Sequence, residues 1–311
     1  MIRLSITLLA SFFLASAAFA VEWQAVEAPA GALETECCDV PAPSPHPAPG
    51  NMGPNAFYFM WHIDDARIVG DQILIDVNYR PSLDLRHEWT NATVVSVVVP
   101  FSEFASVEFS ELVERWHLND RGMADYGART RSGTTLGDFV ATVKFNVLKE
   151  TATRPAITLK GVIKSANGGA EDGRNTDSAG YEIGAIFAKD VLNASGALRK
   201  IRLLAEIGFF AWDDAVHHQN DAYRYGFATE FLFQHDATLA VGYHGFTGWQ
   251  KNGDAPRTLY VEGRKVFTPR MTAFGSVDLG LNSKSNPSAN PVMFNAGIRI
   301  SLDRPYSKRR K

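Results

Sequence analysis

Only two cysteines occur in 311 residues, Cys37 and Cys38, so neither a disulfide framework nor a four-cysteine zinc module organises the chain. No apolar run of membrane-helix length follows the first twenty residues, which excludes a bundle of membrane helices. Neither sign of charge dominates: 31 Lys and Arg stand against 34 Asp and Glu, a formal net charge of -3. That balance speaks against a partner held by phosphate neutralisation, so no nucleic acid is expected. The phosphate-cradling glycine loop, the G-x-S-x-G elbow, the CxxC pair and the H-E-x-x-H zinc motif are missing too. No enzymatic activity and no cofactor is therefore expected. What the chain has in quantity is glycine (25), phenylalanine (20) and short alternating runs.

Residues 1–20 read as a secretory signal. Arg3 opens a short positive start, LSITLLASFFLASA is apolar, and Ala18-Phe19-Ala20 offers small residues for cleavage before Val21. Cleavage removes one Arg and leaves 30 − 34 = −4 on a chain outside the cytoplasm. Residues 21–55 show no helical or strand period and include a run of prolines from Pro41 to Pro49, so they read as a disordered periplasmic arm. Cys37 and Cys38 lie in that arm. A vicinal disulfide, a cross-link to a partner, a weak metal site with Asp39 and His46, and a plain linker all fit them, the last being the simplest.

From residue 56 strict alternation takes over. In GDFVATVKFNVL, Phe139, Ala141, Val143, Phe145 and Val147 point one way, while Asp138, Thr142, Lys144 and Asn146 point the other. Phe294, Ala296, Ile298, Ile300 and Leu302 alternate with Met293, Asn295, Gly297, Arg299 and Ser301, and Phe57, Phe59, Trp61 and Ile63 with Tyr58, Met60, His62 and Asp64. Similar runs make strands of about 56–64, 72–80, 91–100, 137–148, 156–165, 181–190, 200–211, 223–235, 237–247, 257–267, 271–281 and 292–302. Such lengths match a tilted strand crossing a bilayer rather than an ordinary globular strand. The reading is an all-β protein, a single closed antiparallel transmembrane β-barrel of about twelve strands spanning 56–302, with a basic tail over 303–311. Outer-membrane lipids are its expected surroundings, and its oligomeric state is open.

Aromatic residues near run ends (Trp61, Tyr79, Phe101, Tyr181, Trp212, Tyr223, Tyr243, Trp249 and Phe267) suit two interfacial girdles. Connections alternate in length: 282–291 long, 268–270 short, 248–256 long, a tight turn near His235-Asp236, 212–222 long. Outer-membrane barrels show that pattern, with short periplasmic turns and an even strand count. Counting 103–111 as a strand gives thirteen. Ser110 to Trp116 is therefore assigned to a short helix within a long outer loop, 102–136, and 81–90 to a periplasmic connection.

The order of turn motifs adds a resemblance. Leu136-Gly137-Asp138 precedes one strand, Arg154-Pro155-Ala156-Ile157-Thr158-Leu159-Lys160 opens the next, and Lys164-Ser165-Ala166-Asn167-Gly168 closes it. A polar loop then ends in Asp177-Ser178-Ala179-Gly180-Tyr181. Over roughly 137–191, and more loosely over 56–302, the chain resembles the outer-membrane barrel family named for the MetA pathway of phenol degradation. The resemblance implies a porin-type barrel that moves small hydrophobic or aromatic compounds.

With apolar residues toward lipid, the opposite parity lines the interior. It carries Arg80, Lys144, Lys160, Lys164, Arg202, Arg224, Arg264 and Arg299 against Asp64, Asp76, Asp138, Glu182, Glu206, Glu230, Glu262 and Asp278. Lone charges inside a barrel are costly unless hydrated or paired, so cross-strand ion pairs around a narrow lumen are expected. Lys144, Lys160, Lys164, Glu206, Arg224, Glu230, Glu262, Arg264 and Arg299 are the candidate solute contacts, and the three lysines the candidate contact for an anion. His244 lacks a serine two residues on, which speaks against a lipid hydrolase. His217 and His218 with Asp213, Asp214 and Asp221 are more simply a solvated loop than a metal site. The functional expectation is an outer-membrane channel for passive passage of small apolar or amphipathic solutes. The alternative is a structural or adhesive barrel with a closed lumen.

Overall fold

The computed structural model describes residues 62–84, 88–126, 130–166, 179–193, 196–213, 219–247, 257–281 and 292–303. The expectations placed on the signal, the proline-rich arm, Cys37 and Cys38, Trp61, His217, His218, Trp249 and the tail beyond Asp303 lie outside these residues.

In hydrocarbon every backbone N–H and C=O must find a partner within the protein, which leaves alternating strands one solution, a closed barrel. The strands are β1 (Gln72–Asp84), β2 (Glu88–Pro100), β3 (Ala105–Leu118), β4 (Ser132–Leu136), β5 (Val140–Leu148), β6 (Ala156–Lys164), β7 (Gly180–Asn193), β8 (Leu198–Asp213), β9 (Gln219–Phe233), β10 (Ala237–Thr247), β11 (Arg257–Thr268), β12 (Met271–Gly280) and β13 (Val292–Asp303), with one short helix, α1 (Asp120–Tyr126). From β5 to β13 sequence neighbours pair antiparallel, and β1 pairs with both β2 and β13, which closes the ring. β4 and β5 share β3 as partner: Val113 faces Leu136 and Ser110 faces Val140. Between those pairs Glu111 and Leu112 oppose the three residues Gly137 to Phe139, and the Gly137 N–H donates to the Leu112 carbonyl at 2.7 Å. The two segments are thus one wall strand broken by a bulge. The barrel has twelve staves.

The count of twelve agrees with the sequence, but two of its members differ. Residues 110–116 are not a helix in a long loop: they belong to β3, in the wall. Leu112, Trp116 and Leu118 face inward there and are buried while Phe109 and Val113 face outward, so apolar residues stand on both faces and the four-residue spacing of Leu112 and Trp116 imitates a helix face. Conversely, His62 to Asp64 are not part of a strand. The wall starts at Gln72, opposite Asp303. Losing one stave before β1 reverses the directions of β1 and β2, so 81–90 is not a periplasmic connection. β1 continues to Asp84 and β2 starts at Glu88, and these two residues pair at the end of the ladder away from Gln72 and Asp303.

The partition between faces is sharp. Ile183 is 70% exposed while its neighbour Glu182 is 2% exposed. Val77, Phe109, Phe145, Ile163, Phe227, Phe294 and Ile298 all turn outward, the face that lipid covers. Phe101 and Phe267 mark one rim and Tyr181 and Tyr223 the other, all four exposed. The tight three-residue β9–β10 turn, Gln234–Asp236, carries His235 and Asp236 at φ 59° and 57°, in left-handed backbone. A closed barrel with this outer band is an outer-membrane β-barrel, and the bacterial outer membrane is its location.

Candidate functional site

Each of the eight inward cations expected from the sequence meets a carboxylate. Lys160 of β6 lies 2.9 Å from Glu182 of β7 and also binds Glu206 of β8, while Arg224 of β9 lies 3.2 Å from Glu182 and 3.3 Å from Glu206. Four consecutive strands thereby share a ring of two positive and two negative groups. Lys164 pairs with Asp138. Arg264 reaches Glu230 and, at 2.7 Å, Glu262. Arg299 holds Asp76 at 2.6 Å, Arg80 stands 3.7 Å from Asp278, and Lys144 lies 2.8 Å from Asp64. Arg202 takes Asp65 at 3.0 Å, Glu150 at 2.9 Å and Asp190 at 2.5 Å. Charges removed from water in this way persist only when matched, and here neighbouring strands supply the match.

The segment 62–70 runs inside the barrel. His62 touches β11 and β12, Asp64 touches Lys144 on β5, and Asp65 touches Arg202 on β8. The Ala66 carbonyl accepts hydrogen bonds from Asn146 at 2.8 Å and Thr158 at 2.5 Å, on β5 and β6. Inward side chains spread around the ring are reached together only from within. Ile63 and Ala66 are buried against Ala156, Ile186, Ala188, Leu204, Ala228 and Tyr260. These wall residues form an apolar inner patch that the segment covers. A second inner patch joins Ala92, Val94, Leu112, Val140 and Val162.

At His62 the segment is held by a cage. The His62 ring stacks on Tyr260 with centroids 3.9 Å apart and planes 9° from parallel. Its Nδ1 lies 2.5 Å from Glu262 Oε2 and its Nε2 lies 3.0 Å from Asp278 Oδ1. With a carboxylate on each nitrogen the ring must donate from both, so it is an imidazolium. Tyr260 lies flat because its partner across the ladder is Gly242, where a Cβ would come within 2.2 Å of the Tyr260 ring. The Tyr260 hydroxyl accepts the Ile63 N–H at 3.3 Å.

The nine candidate solute contacts all face the lumen. Structure adds that Lys144, Lys160 and Lys164 are each neutralised by a carboxylate, so their shared positive charge is already answered from within the chain. His244 is buried beside Tyr260, with ring centroids 5.9 Å apart. Among the described residues no three His, Cys, Asp or Glu side chains converge as a metal site. Sequence reasoning missed His62, Asp65, Glu150 and Asp190. The alternation over Phe57 to Ile63 placed His62 in the wall, and Asp65 and Glu150 lie outside the strands.

No protein-family profile matches the chain, and no curated protein matches it either. Among solved structures, an outer membrane channel from Pseudomonas putida F1 superposes with a TM-score of 0.60 at 12% identity, over 78% of this chain and 100% of the other. The NanC porin gives 0.49 at 11% identity, over 73% of this chain and 100% of its own. The KdgM porin, solved with disordered oligogalacturonate, gives 0.43 at 10%, over 73% and 99%. At these identities the likeness to the Pseudomonas channel is one of fold.

Proposed function

We propose that this protein is a porin-like outer-membrane channel without enzymatic activity, for passive passage of small solutes, and that the inner segment 62–70 sets its closed state. The observation that carries the reading is the way this segment is held. It crosses the lumen on ion pairs and hydrogen bonds to β5, β6, β8, β11 and β12, all of which water or a solute can replace. An apolar inner patch beside matched charges is a lining for apolar or amphipathic solutes rather than for a free anion. The likeness in fold to the Pseudomonas channel and the resemblance to the phenol-pathway barrels support the same reading. Among the candidate contacts, Lys144 and Glu262 answer to the segment itself, whereas Lys160, Lys164, Glu206, Arg224, Glu230, Arg264 and Arg299 line the wall around it.

Single-channel recording in planar bilayers tests this, with wild type compared against Asp64→Asn, which weakens the hold on Lys144. The variant should conduct more often than wild type, and swelling of liposomes should follow for small amphipathic solutes. A second reading, a barrel that is permanently closed and structural, draws on the same filled lumen. Silence of both proteins across solute classes would favour it.

A further inference from the structure

The cage around His62 has the form of a receptor filled by its own chain. Tyr260 offers a flat aromatic face, and one oxygen each from Glu262 and Asp278 meets one ring nitrogen each. Each acid also has a cation beside its other oxygen: Glu262 Oε1 lies 2.7 Å from Arg264 Nε, and Asp278 Oδ2 lies 3.7 Å from Arg80, both as ion pairs. Ser276 Oγ donates to Asp278 Oδ1 at 2.8 Å and fixes the direction of that carboxylate. The two acids therefore stay in place without His62, each with one oxygen left for an N–H donor. The contacts that the cage makes with His62 are all to its ring.

We infer that Tyr260, Glu262 and Asp278 form a binding site for small planar cations bearing two N–H donors, the imidazolium and amidinium class, which His62 fills from within the chain and a free ligand of that class takes over. Planarity matters because the Tyr260 face attracts a cation lying flat on it, and two donors matter because the acceptors stand on two sides. A compact ammonium satisfies neither condition as well. Taking over the cage releases the His62 contact of the inner segment, so the same ligand class would loosen it. This goes beyond the channel reading, since binding at the cage does not depend on whether the lumen conducts.

The test uses the full chain in detergent micelles with His62→Gly, titrated calorimetrically with imidazolium, benzamidinium and methylammonium chlorides. Imidazolium should bind the variant about tenfold more tightly than it binds wild type and about tenfold more tightly than methylammonium does. Adding Asp278→Asn should remove that difference. Equal binding of imidazolium and methylammonium, or equal binding to the variant and wild type, overturns the proposal. Heat-modifiable gel mobility reports whether the variant barrel is folded. If it is not, Ile63→Cys in a chain carrying Cys37→Ser and Cys38→Ser serves instead, since its single thiol is then at a position buried while the segment is seated. Imidazolium should then speed thiol modification about fivefold over methylammonium at equal concentration. Equal rates overturn the proposal.

Discussion

Arg299 grips Asp76 through two parallel hydrogen bonds, Nε to Oδ1 at 2.7 Å and Nη2 to Oδ2 at 2.6 Å, although 223 residues separate them. They face each other across the junction of β13 and β1, the step that turns a sheet into a closed wall. A forked pair of this kind is stronger and more directional than a single bond. Asp76→Asn leaves the guanidinium without its counter-charge, and the expected loss is about 1–3 kcal/mol. A lower urea midpoint for the refolded barrel checks it, and Asp76→Asn with Arg299→Met should recover part of the loss.

Lys144 is the wall partner of Asp64, with Glu108 3.8 Å away. Lys144→Glu would put a third carboxylate among two and push the inner segment out. Every ~1.4 kcal/mol of repulsion multiplies the open population by about ten. Single-channel recording should show a rise in open time of roughly that order, reduced by Asp64→Lys on the same chain.

Gly242 makes room for Tyr260. Gly242→Val forces the ring aside, at a cost of about 1–3 kcal/mol for overpacking, and removes the surface on which His62 lies. The urea midpoint should fall, and a cysteine at Ile63 should become several times more reactive than in the Gly242 background.

His235 and Asp236 hold left-handed backbone in a turn where glycine is more comfortable. Asp236→Gly relieves one of the two at the loss of an exposed pair with Arg199 at 3.5 Å, which contributes little. A gain of about 0.5–1 kcal/mol is expected, read as a higher unfolding midpoint with unchanged conductance.

The alternation of apolar and polar residues, a local property, made most of the barrel legible. In Val140–Leu148 and, up to Leu302, in Val292–Asp303 each outward residue is apolar and the charges Lys144 and Arg299 face inward, so membership in the wall and the side facing lipid both follow from parity. Where inward residues are apolar, as at Leu112, Trp116 and Leu118, parity loses its meaning and β3 took on the look of a helix. Where an alternating stretch enters the lumen instead of the wall, as at His62 to Asp64, the same signal points to a stave between β13 and β1, which pair directly with each other. The two errors cancelled in the count, because both readings preserve an even number.

The interior charges were likewise legible as a matched set of cations and acids, since buried charge without a partner is too costly to retain. Which cation meets which acid was not. Lys160 finds Glu182 and Glu206, and His62 finds Asp278 from 216 residues away, because those pairings depend on strand register, barrel curvature and the path of a segment that belongs to no strand. Sequence alone determined an exported, lipid-facing barrel with a charged interior, for periodicity and composition are written residue by residue. Only the tertiary structure decided that the interior is occupied, for the occupant is held by contacts that exist only once the ring has closed around it.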